Sequence, residues 1–200
     1  LNGVIHAAGS VDQCNLLQKS WAEFESILQA KMQGTLILDE LTKELSLDFF
    51  VTFSSLASIL GDFGQCDYAV ANRFLDSFVA FREKLRGQKL RQGRTIAIAW
   101  PLWKAGGMHF DPDGEAFYLK SSGMSYLESN EGWEAFVKIL NSNQSHVIVI
   151  SGQPTKVNQF LLNENQPSTV KSVLSSAEAE NQDSPMPVPT APDNIWNQLL

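Results

Sequence analysis

Residues 48–76, with the sequence DFFVTFSSLASILGDFGQCDYAVANRFLD, limit what this chain can fold into more than any other stretch. They begin with a nearly continuous apolar run, which is typical of a strand that is buried on both faces of a parallel sheet. The run ends at the hydroxyl pair Ser54 and Ser55, and a loop that contains two glycines follows it. A helix is predicted to begin at about Tyr68.

Three polar side chains of this stretch fall where the predicted elements bring them together. Ser55 and Tyr68 are thirteen positions apart, and Asn72 follows Tyr68 at i+4. On a helix, that spacing puts the phenol and the amide on one face, one turn apart. Open α/β sheets bind their ligands at the carboxyl ends of the strands, so we interpret this stretch as an active site.

Strand and helix patterns alternate along the chain. The predicted strands are about Gly3 to His6, Asp48–Phe53, Thr95–Trp100 and His146–Ile150, and the predicted helices are 20–45, about 68–85 and about 131–140. Ser20 and Glu23 fit a capping box at the start of the first helix, and Gly87 is expected to stop the second. This alternation predicts an α/β doubly wound parallel sheet with about four strands in this chain.

The two long helices differ in how clearly their sequence defines a buried face. The second helix is expected to turn an apolar face toward the core, formed by Val70, Phe74, Phe78, Val79 and Phe81. In the first helix the apolar residues recur at helical spacing, but Lys31 and Gly34 interrupt that face. Taken alone, Lys31 is most simply a solvated helix lysine.

The segment at 101–129 is irregular and rich in Gly, Asp and Ser, with Phe117 and Tyr118 in a short helical piece. A connection of this length is usually functional, so we expect it to be a lid. Residues 1–162 are predicted to form one domain that includes the lid.

Beyond that domain the composition changes. Residues 163–194 are dominated by Asn, Gln, Ser, Pro and Glu, and such a segment cannot bury enough apolar surface to fold, so we predict a linker. Residues 195–200 are interpreted as the start of a following element. Because the chain opens at Leu1 within a strand-like apolar run, we expect it to be a fragment.

Composition and charge exclude several classes of function. A formal net charge of −7 argues against nucleic-acid binding, which needs a basic face. No run approaches the roughly 18 consecutive apolar residues that a membrane span requires. The two cysteines, Cys14 and Cys66, have no metal-ligand spacing, so we predict no metal site and expect free thiols in a reducing cytoplasm.

The active-site stretch resembles a known family. Residues 53–76 resemble the corresponding segment of short-chain dehydrogenases/reductases and, more narrowly, of the ketoreductase domains of modular polyketide synthases, F-S-S-x-A-x-x-x-G…G-Q-x-x-Y-A-x-A-N-x-F-L-D. Four further segments match in order: GVIHAAG at 3–9, AKMQG at 30–34, AWPLW at 99–103 and GGM at 106–108. The resemblance covers about residues 1–162 and implies a Rossmann-like fold of which this chain holds the second half.

The resemblance also implies a catalytic tetrad of Lys31, Ser55, Tyr68 and Asn72. An upstream lysine with asparagine at the fourth position after the tyrosine is typical of the polyketide branch, whereas ordinary short-chain reductases have lysine at that fourth position. Tyr68 would supply a proton to the carbonyl oxygen of the substrate, and Ser55 would donate a hydrogen bond to the same oxygen. Lys31 as an ammonium would lower the pKa of the phenol, and Asn72 would hold a water or orient Lys31.

The implied cofactor is NADPH, whose nicotinamide carries the hydride chemistry. The residues expected to contact it are Ala7, Ala8 and Gly9 along the dinucleotide, and Pro101, Leu102 and Trp103 at the nicotinamide end. Two simpler interpretations stay open: Gly9 as a plain turn glycine, and Trp103 as an aromatic residue of the lid core.

The implied reaction is reduction of a β-ketoacyl thioester, carried by the phosphopantetheine arm of an acyl carrier protein, to the β-hydroxyacyl form during polyketide biosynthesis. The acyl carrier protein and other polyketide synthase domains are the implied partners. Two alternatives are a stand-alone short-chain carbonyl reductase and a non-catalytic, structural ketoreductase-like module. Leu60 stands where one ketoreductase type has tryptophan, which favours the other type and a D-configured hydroxyl, whereas Gln13 departs from that type's L-D-D motif.

The family's phosphate-binding G-x-G-x-x-G turn occurs nowhere in the chain. We therefore expect the 200-residue chain alone to bind NADPH poorly, because the backbone donors that grip the pyrophosphate are missing. Titration calorimetry on the isolated chain measures this affinity, and a micromolar dissociation constant would contradict the expectation.

Overall fold

A four-stranded parallel sheet is the centre of the fold. The structure, a computed structural model, describes residues 1–10, 18–61, 65–106, 116 and 119–162. The strands are β1 (Gly3–His6), β2 (Phe49–Ser55), β3 (Arg94–Trp100) and β4 (His146–Ile148), paired in the order β1-β2-β3-β4. This confirms the predicted α/β class, with boundaries that differ by one or two residues.

Helices connect the strands as parallel pairing requires. The helices are α1 (Trp21–Leu41), α2 (Ala57–Leu60), α3 (Cys66–Gly87), α4 (Ser129–Leu140) and α5 (Pro154–Leu161), and residues 116 and 119–122 are helical as well. The predicted capping box is present, since the Ser20 side chain accepts from Glu23 N and the Glu23 carboxylate accepts from Ser20 N. The helix that starts there ends at Leu41, four residues earlier than predicted for Leu45.

The two short helices were not predicted from the sequence. Helix α2 has only four residues, and α5 lies beyond the last predicted strand. Val157 of α5 is buried in a small cluster with Leu56 and Met124, so tertiary contact holds this element in place.

Apolar clusters cover both faces of the sheet. Val51 of β2 packs with Ile96, Ile98 and Phe136 on the face that α4 covers. The neighbouring β2 residue points the opposite way, as successive strand residues do. That residue, Phe50, is fully buried with Val4 and Phe78 on the face that α3 covers.

A buried polar contact joins α1 to α3. Arg82 of α3 is completely buried, and its Nε donates to Asp39 Oδ1 of α1 at 2.8 Å. The rest of the guanidinium donates to the carbonyls of Gly93 and Gln92 and to the Thr95 hydroxyl. The central carbon of the guanidinium, Cζ, lies 4.6 Å from the centre of the Phe50 ring.

The predicted inward faces of the helices are wrong in part. On α3, Phe78 and Val79 are buried, but Val70 is 46% and Phe81 53% exposed. On α1 the buried stripe is Ile27, Lys31, Thr35 and Asp39, three of them polar, so the solvated interpretation of Lys31 is also wrong. Lys31 and Asp39 are buried because they bind partners that are distant in sequence, Phe53 and Arg82, and these contacts outweigh apolar periodicity here.

The end of α3 also differs from the prediction. Gly87 is its last helical residue rather than the residue that stops it, and the left-handed position falls on Lys89, with φ of 63°. Leu90 N donates to Leu85 O, and Lys89 N donates to Arg86 O. These two bonds form a Schellman motif, which satisfies the last helical carbonyls.

Several predicted features lie outside the described residues. These are the motif at 11–13, most of the aromatic piece at 117–118 and part of the predicted lid, the linker at 163–194 and the element at 195–200. None of the helices in the described ranges has both the length and the apolar character needed to cross a bilayer.

Replacing Arg82 with Met should loosen α1 and α3 together. The substitution removes one side of a buried ion pair, which costs about 3 kcal/mol of local stability. By native-state hydrogen exchange in the full-length protein, amides of both helices should then exchange about a hundredfold faster. The matched control is Arg86→Met on the same helix, because the Arg86 side chain is exposed and bonds only Glu83 in the described contacts. Equal exchange rates in the two variants would contradict the assigned role of Arg82.

Candidate active site

Three chain segments leave the sheet at the same edge. Gly9 follows β1, Ser55 ends β2, and Pro101 follows β3. Because the strands are parallel and in register, with Ser55 opposite Trp100, these segments lie beside one another at the carboxyl edge of the sheet. This is the edge at which open α/β sheets bind ligands.

The side chain of Lys31, on α1, lies near this edge of the sheet. It is 5% exposed, and its Nζ donates to the carbonyl of Phe53 at 2.8 Å. The same nitrogen lies 6.0 Å from the centre of the Tyr68 ring, which is itself buried at the start of α3. The structure therefore brings together two members of the predicted tetrad, although they are 37 positions apart in the sequence.

Gly9 is required for Lys31 to take this path. A Cβ atom at Gly9 would lie 2.9 Å from Lys31 Cε and 3.3 Å from Nζ, closer than ordinary van der Waals contact. The absence of a side chain at this position thus leaves room for the ammonium group. Gly9 is more than a plain turn glycine.

Burial changes the acid–base properties of Lys31. Loss of contact with water lowers the pKa of its ammonium from 10.5 to about 8, and the negative charge of Asp76 acts in the opposite direction. A lysine with a pKa near 8 is still largely protonated at neutral pH, so it can favour a neighbouring phenolate.

Asn72 is fixed within α3 on one side of its amide. It is completely buried, and its Nδ2 donates to the carbonyl of Tyr68 at 2.8 Å. Its Oδ1 is buried and accepts no hydrogen bond from any described residue. The amide oxygen of Asn72 is therefore left available for a donor that comes from a ligand or solvent.

The two serines at the end of β2 make different contacts. Ser54 is buried, and its hydroxyl donates to the Asn72 carbonyl at 3.2 Å, which connects β2 to α3. Ser55 is only half-buried, and its Oγ accepts from the backbone N–H of Ala57 at 3.2 Å. Ser55 thus lies at the open edge of the sheet, as expected for the catalytic member of the pair, while its role stays a prediction.

One structural element of the site was missed from the sequence. Lys19 and Asp67 form a buried ion pair, with Nζ and Oδ2 2.5 Å apart and side chains 1% and 2% exposed. Asp67 Oδ1 also accepts from the backbone N–H of Tyr68 at 2.9 Å. The pair connects the segment before α1 to the turn that presents Tyr68. The partners are 48 positions apart, so no local sequence pattern indicates the pair.

Comparison with known proteins supports the family resemblance. The family model of the KR domain matches residues 1–105, which is more than half of the chain. The chain belongs to the ketoreductase (KR) domains of polyketide synthases. These domains are members of the short-chain dehydrogenase/reductase superfamily.

Individual relatives cover most of this ketoreductase chain. It is 43% identical over 162 residues to "Polyketide synthase PksM" of Bacillus subtilis, and 36% identical over 150 residues to "Erythronolide synthase EryA3" of Saccharopolyspora erythraea. These matches cover 80% and 75% of the chain, but only 4% of either synthase. A crystal structure of a ketoreductase domain from the bacillaene assembly line aligns with a TM-score of 0.77 and 42% identity, over 80% of this chain and 38% of that one.

The residues of the ketoreductase chain that are predicted to flank the nicotinamide have different surroundings in the structure. Trp103 lies with its ring centre 4.9 Å from that of Trp100, and a Cβ at Gly132 would lie 2.1 Å from its ring. Its indole therefore packs between β3 and α4, which favours the lid-core interpretation. Leu102 accepts a backbone bond from Leu127, and the cofactor contacts predicted for Pro101, Leu102 and Trp103 stay predictions.

The cofactor side of the site fits a dinucleotide in one respect. Ala7, Ala8 and Gly9 are small and exposed, so a ligand could approach their backbone closely. Within the described ranges, no group of three or more His, Cys, Asp or Glu side chains is placed to hold a metal ion.

Gly9→Ala should displace Lys31 with little loss of stability, because the new methyl group meets the flexible end of a side chain. The ammonium group would leave the Phe53 carbonyl and regain contact with water, so its pKa should rise from about 8 toward 10.5. The pH dependence of Lys31 acetylation by trace acetic anhydride, read by peptide mass spectrometry, measures this change in the full-length protein. Gly87→Ala is the control, since no atom lies within 4 Å of a Cβ there, and an unchanged Lys31 midpoint in Gly9→Ala would contradict the assignment.

Proposed function

We propose that this chain carries the catalytic residues of a ketoreductase that reduces a β-ketoacyl thioester to the β-hydroxyacyl form with NADPH. The substrate would be carried on the phosphopantetheine arm of an acyl carrier protein, and other polyketide synthase domains would be its neighbours. The observation that carries the proposal is the buried Lys31 ammonium, 6.0 Å from the Tyr68 ring at the carboxyl edge of the sheet. The similarity to polyketide synthases supports the choice of substrate class.

Bound NADPH would supply the hydride, held along Ala7, Ala8 and Gly9 with its nicotinamide end toward Pro101, Leu102 and Trp103. The chain's own residues would stabilise and neutralise the negative charge that develops on the carbonyl oxygen of the substrate. Tyr68 donates its phenolic proton to that oxygen, and Ser55 donates a hydrogen bond to it. Both groups act at the carboxyl edge, where water can be displaced by the substrate.

Lys31 would make proton donation by Tyr68 possible near neutral pH. A free phenol has a pKa of about 10 and gives up its proton reluctantly. A nearby ammonium stabilises the phenolate that remains after donation, so it lowers the pKa of the phenol. Asn72, anchored through Nδ2 to the Tyr68 carbonyl, keeps its Oδ1 free to hold a water or to orient Lys31.

Retention of the whole tetrad argues against a non-catalytic module. A purely structural domain gains nothing from a buried ammonium, since removal of a lysine from water is unfavourable. Here the Lys31 side chain is buried where Gly9 leaves space for it, and its ammonium group donates to the carbonyl of Phe53. A catalytic role for the ammonium would explain why the unfavourable burial of this charge is tolerated.

Tyr68→Phe should lower ketoreduction of a β-ketoacyl thioester by about 10²–10⁴-fold, because the general acid is lost. NADPH binding in the full-length protein should be retained, because the substitution removes only one hydroxyl. NADPH oxidation with an acyl-carrier-bound substrate measures the first quantity, and cofactor fluorescence measures the second.

Thr42→Val is the matched control for that experiment, since it also removes a single hydroxyl, from the end of α1, eleven residues after Lys31. It should reduce the substrate as the unaltered protein does. Full turnover in Tyr68→Phe would refute the assignment of Tyr68 as the proton donor.

A further inference from the structure

The buried ion pair between Lys19 and Asp67 has no part in the chemistry described above. Lys19 Nζ and Asp67 Oδ2 are 2.5 Å apart, and their side chains are only 1% and 2% exposed. Apolar residues of similar size often stabilise a fold at least as well as a buried ion pair does, because both charges must give up their contact with water. Stability alone therefore does not explain why two charges lie here, directly before the proposed proton donor Tyr68.

Asp67 supplies a hydrogen bond that the usual capping residue of α3 does not. The first N–H groups of a helix have no partner within the helix, and a side chain at the N-cap normally accepts from one of them. Gln65 is the N-cap of α3, and its side chain makes no such bond. Instead, Asp67 Oδ1 accepts from the buried backbone N–H of Tyr68 at 2.9 Å. One oxygen of the carboxylate thus holds the Tyr68 backbone.

The other oxygen of the carboxylate connects this turn to α1. Lys19 directly precedes Ser20, whose capping box with Glu23 fixes the first turn of α1. The Lys19 ammonium therefore joins the start of the helix that carries Lys31 to the start of the helix that carries Tyr68. It also compensates a negative charge that would otherwise lie beside a tyrosine whose proposed role leaves it as a phenolate.

We propose that Asp67 is a positioning residue, which holds the backbone of Tyr68 so that its phenol reaches the carbonyl oxygen of the substrate, and that Lys19 is the counter-ion of Asp67. Asp67 acts through the Tyr68 N–H, and Lys19 acts through Asp67. The consequence for activity rests on the proposed ketoreductase function. The hold on the Tyr68 backbone is independent of that function.

Two double variants that differ only in the side chain at position 67 test the proposal. Lys19→Met/Asp67→Asn removes both charges but keeps a side-chain oxygen that can accept from the Tyr68 N–H. Lys19→Met/Asp67→Leu has nearly the same shape and also no buried charge, but it has no acceptor. A difference between the two variants therefore measures the effect of the hydrogen bond rather than that of the ion pair.

Ketoreduction of an acyl-carrier-bound substrate by the full-length protein should separate the two double variants in kcat. Lys19→Met/Asp67→Leu should lose about 10–100-fold in kcat, because a displacement of a reacting group by about 1 Å can cost that much. Lys19→Met/Asp67→Asn should recover kcat to within about threefold of the unaltered protein, because asparagine caps a helix as well as aspartate does. KM and the affinity for NADPH should change little in either variant, since neither side chain is proposed to bind substrate or cofactor.

Hydrogen exchange of the Tyr68 amide is a measurement that does not need the reaction. Mass spectrometry with electron-transfer fragmentation can follow this single amide in the full-length protein. The amide should exchange about a hundredfold faster in Lys19→Met/Asp67→Leu than in Lys19→Met/Asp67→Asn, because its N–H has lost its acceptor.

Lys43→Met is the control for loss of an ion pair as such. Lys43 and Glu40 are also 2.5 Å apart, but their side chains are exposed. The substitution should change neither kcat nor the exchange of the Tyr68 amide. If Lys19→Met/Asp67→Leu does not fold, Lys19→Met/Asp67→Ala replaces it, since alanine also lacks an acceptor and adds no bulk.

The two measurements separate failure of this inference from failure of the proposed function. Equal kcat in the two double variants, whether high or low, would refute the role of Asp67 in positioning the phenol. Equal exchange of the Tyr68 amide would refute its hold on the backbone. Faster exchange without the acceptor, in a full-length protein that reduces no β-ketoacyl substrate, would support the hold on Tyr68 and refute the proposed function.

Discussion

The ion pair between Arg82 and Asp39 sets how α1 and α3 lie against each other, and the candidate site depends on that arrangement. Asp39 lies two turns after Lys31 on the buried stripe of α1, and Arg82 lies on the same helix as Tyr68 and Asn72. A slip of either helix by one turn would leave a buried guanidinium without its carboxylate, and such a group is costly. The pair therefore fixes the register that brings the Lys31 ammonium to the Tyr68 ring. Apolar packing alone would tolerate several registers, because it is not directional.

Local patterns in the sequence were enough for the strands and the capping box, whereas the tetrad stays a prediction that rests on family resemblance. Each of these depends on residues a few positions apart, or on a motif whose spacing is fixed. The buried faces of the helices were predicted less well, and Val70 and Phe81 show why. Both continue the apolar pattern of α3, yet they are about half exposed, whereas the charged Arg82 of the same helix is completely buried against Asp39 of α1. The partner that makes burial of Arg82 possible is 43 positions away, and helical periodicity holds no information about it.

The same limit applies to the candidate site. Lys31 could be assigned a role only through family resemblance, since a lysine on a helix usually points to solvent. Its burial depends on space at Gly9 and on the carbonyl of Phe53, from two different segments of the chain. The Lys19–Asp67 pair is likewise a contact between distant segments. Each single residue of this set has an ordinary explanation, and only the fold shows that they meet.

Burial and charge oppose each other at Lys31, and the balance suits proton transfer. Burial alone would favour the neutral amine, which could not stabilise a phenolate on Tyr68. A carboxylate that is hydrogen-bonded directly to the ammonium would raise the pKa of Lys31 further. It would also compete with the phenolate of Tyr68 for the positive charge. Asp76, buried on α3, opposes the effect of burial, because its negative charge raises the pKa of Lys31. With a pKa of about 8, Lys31 stays largely protonated near neutral pH, while its ammonium group donates to the Phe53 carbonyl and lies 6.0 Å from the centre of the Tyr68 ring.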